Sequence, residues 1–530
     1  MPNYRIKAIS NANQSMSGLV LFTYLPTRTD LLKRAKQKLN FKKKYTRLYL
    51  PGGEELLTDA DITAWLITPP PKRGLEILCS AGEEYVGLRI EAEPEEEPTV
   101  ATVVELLCSE TDGLKFEQDV RDQISNAAHL PGMIQVTALP DLHPGNQFPI
   151  GATFVTRDYI HPILIGGDIG CGMAWYRLHL RASRFDNVEG RRKVAGKLNG
   201  LEGAWEDGDK RAAWLGDGAT GQQEYDKLVG TIGRGNHFAE IQVVDEASGC
   251  EETGWTNPVA EGEVLLLVHS GSRGFGKHIL EKHTAGLSAS LAWCKAGTQE
   301  AKVYLEDHDK ACSWASLNRD LIAIRFLDLL EPGEEWSINP EEPLEAEITR
   351  LKQQLETRKI LSIHHNNLTT VSWPPNDPST TKTAFLHRKG AAPVPGNSLL
   401  PLPSSRGTPT LLLHPLPAAM PGTGGRINAL SLPHGTGRTM SRGAAAKFAT
   451  DATVEEALTG YASKKGTGSN QKEETSVVVC DQKNLVWEEA PECYKDVGAV
   501  AEEVVRRGLA KVVGKAVPVV CYKVRDEGRN

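Results

Sequence analysis

The chain of 530 residues has no run of about eighteen or more apolar residues, which excludes an expected transmembrane helix. Its opening, MPNYRIKAIS, lacks the apolar stretch of a secretory signal. A disulfide framework is missing as well. The nine cysteines are scattered without regular spacing, and an odd number cannot pair completely. That usage predicts a reducing, intracellular setting, with the cytoplasm as the expected compartment. Positive charge is not in excess either: 60 Lys and Arg against 68 Asp and Glu give a net charge of −8. Recognition of an acidic polymer by overall charge is thereby excluded, because neutralising phosphates and releasing counterions needs a basic face. A local basic groove is not excluded. No internal repeat is found.

What is present is the composition of a folded enzyme-sized protein, 40% hydrophobic and 24% charged. The length exceeds one ordinary core, so the expected fold is mixed α/β (α+β) with a large domain and an appendage. Residues 1–95 read as a small α+β module, possibly ubiquitin-like. Within it 31-LLKRAKQKLN-40 forms a basic helix, and a strand and a PGG turn follow. The basic run could touch RNA or another acidic partner, although a solvated helix face is the commoner meaning of such runs. Residues 96–104 continue the acidic, proline-bearing run 92-AEPEEEPTV-100 and read as a linker. A glycine-rich α/β body spans 105–530. Two of its segments look inserted or irregular: 299–357, charged and helix-favouring, and 371–425, too proline-dense for a continuous helix or a central strand. The stretch 496–524 reads as a helix followed by an edge strand.

Chemistry concentrates in glycine-flanked polar segments: 141-DLHPGNQFPIGA-152, 166-GGDIGCGM-173, 233-GRGNHFAEIQ-242, 268-VHSGSRGFGKH-278, 363-IHHNN-367 and 431-SLPHGTGRTMSRGA-444. Glycines beside a functional side chain permit tight turns and close backbone approach to a ligand. Asp168 and Cys171 lie three apart on one such loop, and His237, His269 and His365 can complete a metal shell. A thiolate, a carboxylate and imidazoles suit zinc, manganese, iron or cobalt without choosing among them. A single histidine on an apolar strand is usually a core residue; the signal is the concurrence of several in one kind of motif.

Taken together and in this order, the strings GGDIGCGM, GRGNHFAEIQ, HSGSRG, HHN and HGTGRTMSR resemble the signature blocks of the RtcB RNA ligase family, from Asp141 to Lys523. The wording DLHPG followed by GDIGCGM is most similar to the branch coupled to release factor H. The resemblance implies one large α/β catalytic domain, with two manganese ions and GTP as cofactors. Asp168, Cys171 and His237 would hold the first ion, and Cys171, His269 and His365 the second. His365 is preferred over His364 because the family's ligand directly precedes asparagine. His434 would be the nucleophile that takes GMP from GTP, with Gly435 and Gly437 giving the nucleotide room and Arg438 neutralising phosphate. Asn236 would contact a phosphate oxygen, Glu240 the N1–H and N2–H2 donors of guanine, and Lys523 the purine. Ser405 and Thr410 match the family's serine loop and the polar residue after it. Ser404 stands where the family has glycine, and Val524 follows Lys523 where the family also has glycine.

The implied reaction joins an RNA 3′-phosphate or 2′,3′-cyclic phosphate end to a 5′-hydroxyl end, in RNA repair or tRNA splicing. Arg273, Arg388 and Lys389 are candidates for gripping RNA. The implied partners are tRNA or rRNA fragments, with an archease-like activator as a further one and no membrane. Two other expectations stand beside this one. A metal-dependent RNA-end phosphatase or cyclic phosphodiesterase would need the ligand set but not His434. A silent RNA-binding scaffold would need neither.

Overall fold

A computed structural model describes residues 4–13, 16–39, 44–51, 53–67, 75–86, 102–108, 114, 118–287, 292–333, 335–377, 379–441, 444–445, 476–480 and 489–523. Most of the expected linker at 96–104 lies outside these residues, as does Val524. Two compact units are present: Met1–Thr99 with Lys282–Trp293, and Val100–Glu281 with Cys294–Asn530.

In the first unit the helix Arg28–Lys38 begins at a capping box: the Thr27 hydroxyl and the Asp30 carboxylate satisfy each other's backbone N–H groups. Leu31 and Ala35 on its inner face join a core with Ile6, Ala8, Val20, Ile62 and Ile77. The sheet has four strands, in the order Ser17–Phe22, Tyr4–Ser10, Leu75–Ser80, Arg47–Tyr49, the two central ones parallel.

The second unit is built on two sheets. The larger runs Lys359–His364, Gly172–Leu178, Val264–Ser270, Phe238–Ala247, Ala510–Tyr522, Thr410–Pro415, Leu400–Leu402, with Val477–Val479 parallel to the end of Ala510–Tyr522. Its strands alternate in the apolar surface they bury. Ala174, Tyr176, Leu266 and Val268 face a core closed by the long helix Gln299–Leu330. Met173, Trp175, Leu265 and Leu267 face a second core that includes Val500 and Val504 of the helix Val497–Arg506. The smaller sheet runs Asn366–Trp373, Lys382–Lys389, Ile150–Thr156, Met133–His143, Val103–Leu106. Among the described residues no helix is long and apolar enough to cross a membrane.

Three expectations are corrected here. Residues 299–357 are not irregular but form two well-packed helices. The helix Gln299–Leu330 starts at a Thr298 cap and buries Trp314, Leu321, Ile322 and Phe326, and Leu344–Arg358 buries Ile348, Leu351 and Leu355. The proline-dense stretch 371–425 supplies strands to both sheets. Its prolines fall where they cost no ladder bond in the interior. Pro401 is on the outermost strand, Pro393 and Pro415 end theirs, and TLLLH between them is free to pair on both sides. The C-terminal strand is central rather than an edge, pairing with Phe238–Ala247 and Thr410–Pro415. Its Pro518 is accommodated where the register shifts between Ile241 and Gln242, the partners being Val520 and Pro518.

This topology places the motifs. Cys171 directly precedes Gly172–Leu178, His237 directly precedes Phe238–Ala247, and His269 is one residue from the end of Val264–Ser270. These ends are in register, with His269 opposite both Met173 and Phe238. His365 is the single residue at which the chain leaves the larger sheet for the smaller one.

Candidate active site

The loop Gly166–Cys171 can carry Asp168 and Cys171 inward because Gly170 adopts a φ of 75°, a conformation that side chains with a Cβ rarely take. Opposite it, a Cβ on Gly271 would lie 2.3 Å from Asp168 Oδ1, so glycine there makes room for the carboxylate. Cys171 Sγ lies 3.4 Å from His237 Nε2, 3.3 Å from His269 Nε2 and 3.3 Å from His365 Nε2. His237 Nε2 is 2.8 Å from Asp168 Oδ2. Two trios, Asp168–Cys171–His237 and Cys171–His269–His365, each converge enough to hold a metal ion, and the sulfur belongs to both.

Burial governs the charge of this cluster. It pushes the Cys171 thiol well above its usual range, with Asp168 adding to the effect. It holds His269 and His365 well below the usual histidine value, so both are neutral imidazoles with a lone pair to offer. Asp168 is also penalised by burial, but His237 and Arg273 outweigh that and keep it ionised. The Nδ1 of His237 is 3.2 Å from the Ile232 carbonyl, which directs Nε2 to the sulfur. Beneath the cluster the buried Arg319 Nη1 donates to the carbonyls of Gly170 and Ser270, 2.9 Å each, and ties the Cys171 loop to the His269 strand.

Next to these ligands stands a second histidine system. The short pair Ala391–Pro393 and Ser431–Pro433 delivers His434 at the end of its second strand. Its Nδ1–H donates to Asp141 Oδ2 at 2.8 Å, and its backbone N–H reaches the same oxygen at 3.2 Å. The ring centroid of His434 is 4.6 Å from that of His365. Lys495 Nζ donates to the carbonyls of Leu142 and Pro140, at 2.6 and 3.2 Å, so a buried cation braces the strand on both sides of Asp141. Gly437, at φ 73°, lies so close to the Asp141 carbonyl that a Cβ there would be 2.1 Å from it.

One cavity of about 1080 Å³ connects the two systems, and Asp168, Cys171, His269, His365 and His434 all open onto it. Its wall also contains Asn236, Glu240, Ser405, Gly435, Gly437, Arg438, Lys389 and Lys523, all of which the motifs had singled out. Arg438 is already engaged, with Nη1 near Tyr494 Oη at 3.1 Å and Glu489 at 3.4 Å. Lys523 Nζ donates to the carbonyls of Gly235 and His237, at 2.6 and 3.0 Å, fixing the turn that presents His237. Ser404 bonds Thr436 across the cavity floor at 3.1 Å.

Four expected residues are not on the cavity wall. His237 is buried behind Cys171 as a ligand-type group. Thr410 is fully buried with its hydroxyl on Gln242, so it does not meet a nucleotide directly. Arg388 is a strut, donating to Ser431 Oγ at 2.9 Å and Thr369 Oγ1 at 2.9 Å beneath the smaller sheet, and is not available to grip RNA. Arg273 lies beside Asp168 and over Gly233 rather than in the cavity. His364 bonds Ser316 at 2.9 Å and takes no part in either trio.

The motifs did not give roles to Asp141, Arg319 or Lys495. Asp141 sits in a quoted glycine-flanked motif, a signal that was available. Arg319 lies mid-helix and Lys495 in a short loop, and neither has a local pattern that marks it.

The sequence is similar to known proteins over most of its length. The family profile described as tRNA-splicing ligase RtcB matches residues 123–205 and 195–524. An RNA-splicing ligase RtcB2 of Escherichia coli is 30% identical over 420 residues, covering 78% of this chain and 94% of the relative. A tRNA-splicing ligase RtcB of Methanococcus maripaludis is 28% identical over 484 residues, covering 78% and 93%. The RNA-splicing ligase RtcB of Escherichia coli K12 is 28% identical over 454 residues, covering 78% and 96%. With the matched profile spanning every residue of the two histidine systems, the chain belongs to the RtcB family.

Proposed function

We propose that the protein is a GTP-dependent RNA ligase that joins a 3′-phosphate or 2′,3′-cyclic phosphate end to a 5′-hydroxyl end through a GMP–His434 intermediate. The observation that carries this reading is the opening of His434, held from behind by the buried Asp141, into the same cavity as the Cys171-centred cluster. The donor set fits two manganese ions: neutral imidazoles, one carboxylate and a sulfur common to both trios. When bound, such ions neutralise and orient phosphate oxygens. Asp168, Cys171 and His237 would hold one and Cys171, His269 and His365 the other.

The chain's own residues do the rest. Asp141 takes the Nδ1–H of His434, leaving the Nε2 lone pair for the α-phosphorus of GTP. The Nε2–P bond forms as the bond to pyrophosphate breaks, and the Asp141 carboxylate offsets the positive charge that develops on the ring. Gly435 and Gly437 let the phosphates approach the backbone, and the Glu240 carboxylate accepts from the guanine edge. A 2′,3′-cyclic end is first opened by water, which attacks phosphorus as the bond to O2′ breaks; the resulting RNA 3′-phosphate then displaces His434 from GMP, and a 5′-hydroxyl expels GMP as the phosphodiester forms. A phosphodiesterase without ligation could use the same carboxylate-held histidine as a general acid or base; what separates the two readings is the covalent GMP adduct.

The test incubates the full chain with manganese and GTP radiolabelled at the α-phosphate. An acid-labile adduct is expected, absent in His434→Ala. RNAs ending in 2′,3′-cyclic phosphate, 3′-phosphate or 3′-hydroxyl are then offered with a 5′-hydroxyl strand, and only the first two should be joined. Undiminished labelling in His434→Ala, or joining of the 3′-hydroxyl substrate alone, overturns the proposal.

A further inference from the structure

The Gln242 side chain is fully buried one turn of the strand pleat beyond Glu240 and has no room for ambiguity about which way its amide points. The indole N–H of Trp175 reaches Gln242 Oε1 at 3.0 Å. An indole N–H can only donate, so the amide oxygen must face Trp175 and the NH2 must face away. One of its hydrogens goes to Glu240 Oε2 at 3.1 Å and the other to Thr410 Oγ1 at 2.9 Å. Three strands of the larger sheet, Gly172–Leu178, Phe238–Ala247 and Thr410–Pro415, thus fix one amide. Gln242 can offer Glu240 a donor and nothing else.

That polarity bears on which base Glu240 accepts. An ionised carboxylate matches the two adjacent donors of guanine, N1–H and N2–H2. A protonated carboxyl matches adenine instead: its C=O accepts from N6–H2 and its O–H donates to N1. The carboxyl's protonation and orientation therefore choose the purine. The other polar groups facing Glu240 are the Cys521 thiol and the Lys523 ammonium, and Lys523 lies 3.9 Å from Glu489. The thiol can donate or accept, and the Lys523 ammonium, although donor-only, already spends two of its hydrogens on the Gly235 and His237 carbonyls.

We propose that Gln242, held by Trp175 and Thr410, is the positioning residue that sets guanine over adenine, by keeping Glu240 an acceptor turned to the cavity. The inference rests on the nucleotide-transfer reading above and goes beyond it by assigning base choice to residues that never touch the base. It also gives Thr410 a role consistent with its burial.

The experiment measures kcat/KM for His434 labelling by GTP and by ATP in the full chain with manganese. In Gln242→Leu the GTP:ATP ratio should fall by about 30-fold or more, because a site built on paired donors and acceptors loses its selectivity when one is removed. Labelling by ATP should rise in absolute terms, which loss of structure cannot produce. Thr410→Val, nearly isosteric, should lower the ratio by about 5-fold, as removal of a supporting hydrogen bond does. Thr410→Ser, which keeps the hydroxyl, should retain the ratio of the unaltered chain. An unchanged ratio in Thr410→Val and Gln242→Leu overturns the proposal, as does an equal loss with both nucleotides. If Gln242→Leu does not fold, the Thr410 pair decides alone. Failure of the unaltered chain to label with either nucleotide overturns the nucleotide-transfer reading instead.

Discussion

Asp141 Oδ2 receives two hydrogen bonds from His434, one from the ring Nδ1–H at 2.8 Å and one from the backbone N–H at 3.2 Å. A single carboxylate oxygen thus fixes both the tautomer and the position of the ring. Asp141 is completely buried, and its charge is offset by Lys495, whose ammonium bonds the carbonyls on either side of it. Asp141→Asn removes the charge and disturbs the tautomer. His434 labelling by GTP is expected to fall by about 100-fold or more, while the melting temperature moves little. A rate within a few-fold of the unaltered chain would mean that His434 does not need this partner.

The shared sulfur makes a stoichiometric prediction. Cys171 belongs to both ligand trios, whereas Asp168 belongs to one. After incubation with manganese and desalting, the unaltered chain should retain two ions, Asp168→Asn one, and Cys171→Ala none, as read by elemental analysis. Burial raises the Cys171 thiol, so a bound ion must displace its proton; affinity should increase with pH and proton release should accompany loading. Two ions retained by Cys171→Ala would separate the sites from the sulfur.

How much of this was legible in the sequence differs by element. The convergence of Asp168, Cys171, His237 and His269 is legible because each lies in a glycine-bearing segment beside a strand end, and His365 stands between two strands in the segment IHHNN. His434 and Glu240 also lie in quoted glycine-bearing segments, whereas Lys523 lies in none and is singled out by the resemblance alone. Arg388 sits beside a cavity residue in sequence, and strand alternation sends neighbouring side chains to opposite faces; Thr410 follows the serine loop in the chain, but its hydroxyl turns to the buried Gln242. Lys389 lines the cavity while Arg388 points beneath it. The stretch 496–524 reads as ending in an edge strand, yet that strand is central; Pro518, which cannot donate to a ladder, falls at a register shift against its partner strand that no local pattern announces. Arg319 acts across 149 positions of sequence on Gly170, a relationship only the fold creates.

Arg319 supports the metal loop without touching the cavity. Replacing it by Met leaves the Gly170 and Ser270 carbonyls buried without their donor. Each such group costs about 1–3 kcal/mol, so a stability loss of about 2–4 kcal/mol is expected. Manganese retention should weaken too, because Gly170 and Ser270 neighbour Cys171 and His269 in the chain. Calorimetry and metal analysis on the same sample check both, and a destabilised protein with undiminished metal affinity would restrict Arg319 to a purely structural part.

Burial pushes the Glu240 carboxyl up to about 7, with Cys521, Gln242 and Lys523 working in the opposite direction. Guanine's two N–H donors require the ionised form, so the active form is the one populated above that value. KM for GTP should be flat on the alkaline side and rise as pH falls, reaching about tenfold above the plateau one unit below the carboxyl's pKa. Glu240→Gln should abolish that dependence at the expense of a uniformly high KM. A dependence that survives in the Gln variant assigns the titration to another group.

Arg388 and Lys389 are neighbours with opposite assignments, and the pair gives an internal control. Arg388 is buried and bonds Ser431, Thr369 and Asn367, so Arg388→Met should lower the melting temperature by several degrees. Lys389 opens onto the cavity, and burial lowers its ammonium to about 8, so it is still largely charged at neutral pH and poised to meet a phosphate. Lys389→Met removes a cation that is costly to bury and should leave the melting temperature unchanged or higher. Its effect should appear in RNA joining, where loss of one phosphate contact reduces affinity and flattens the salt dependence by about one charge. If Lys389→Met joined RNA with the same affinity and salt slope as the unaltered chain, the phosphate contact would have to be sought elsewhere on the cavity wall.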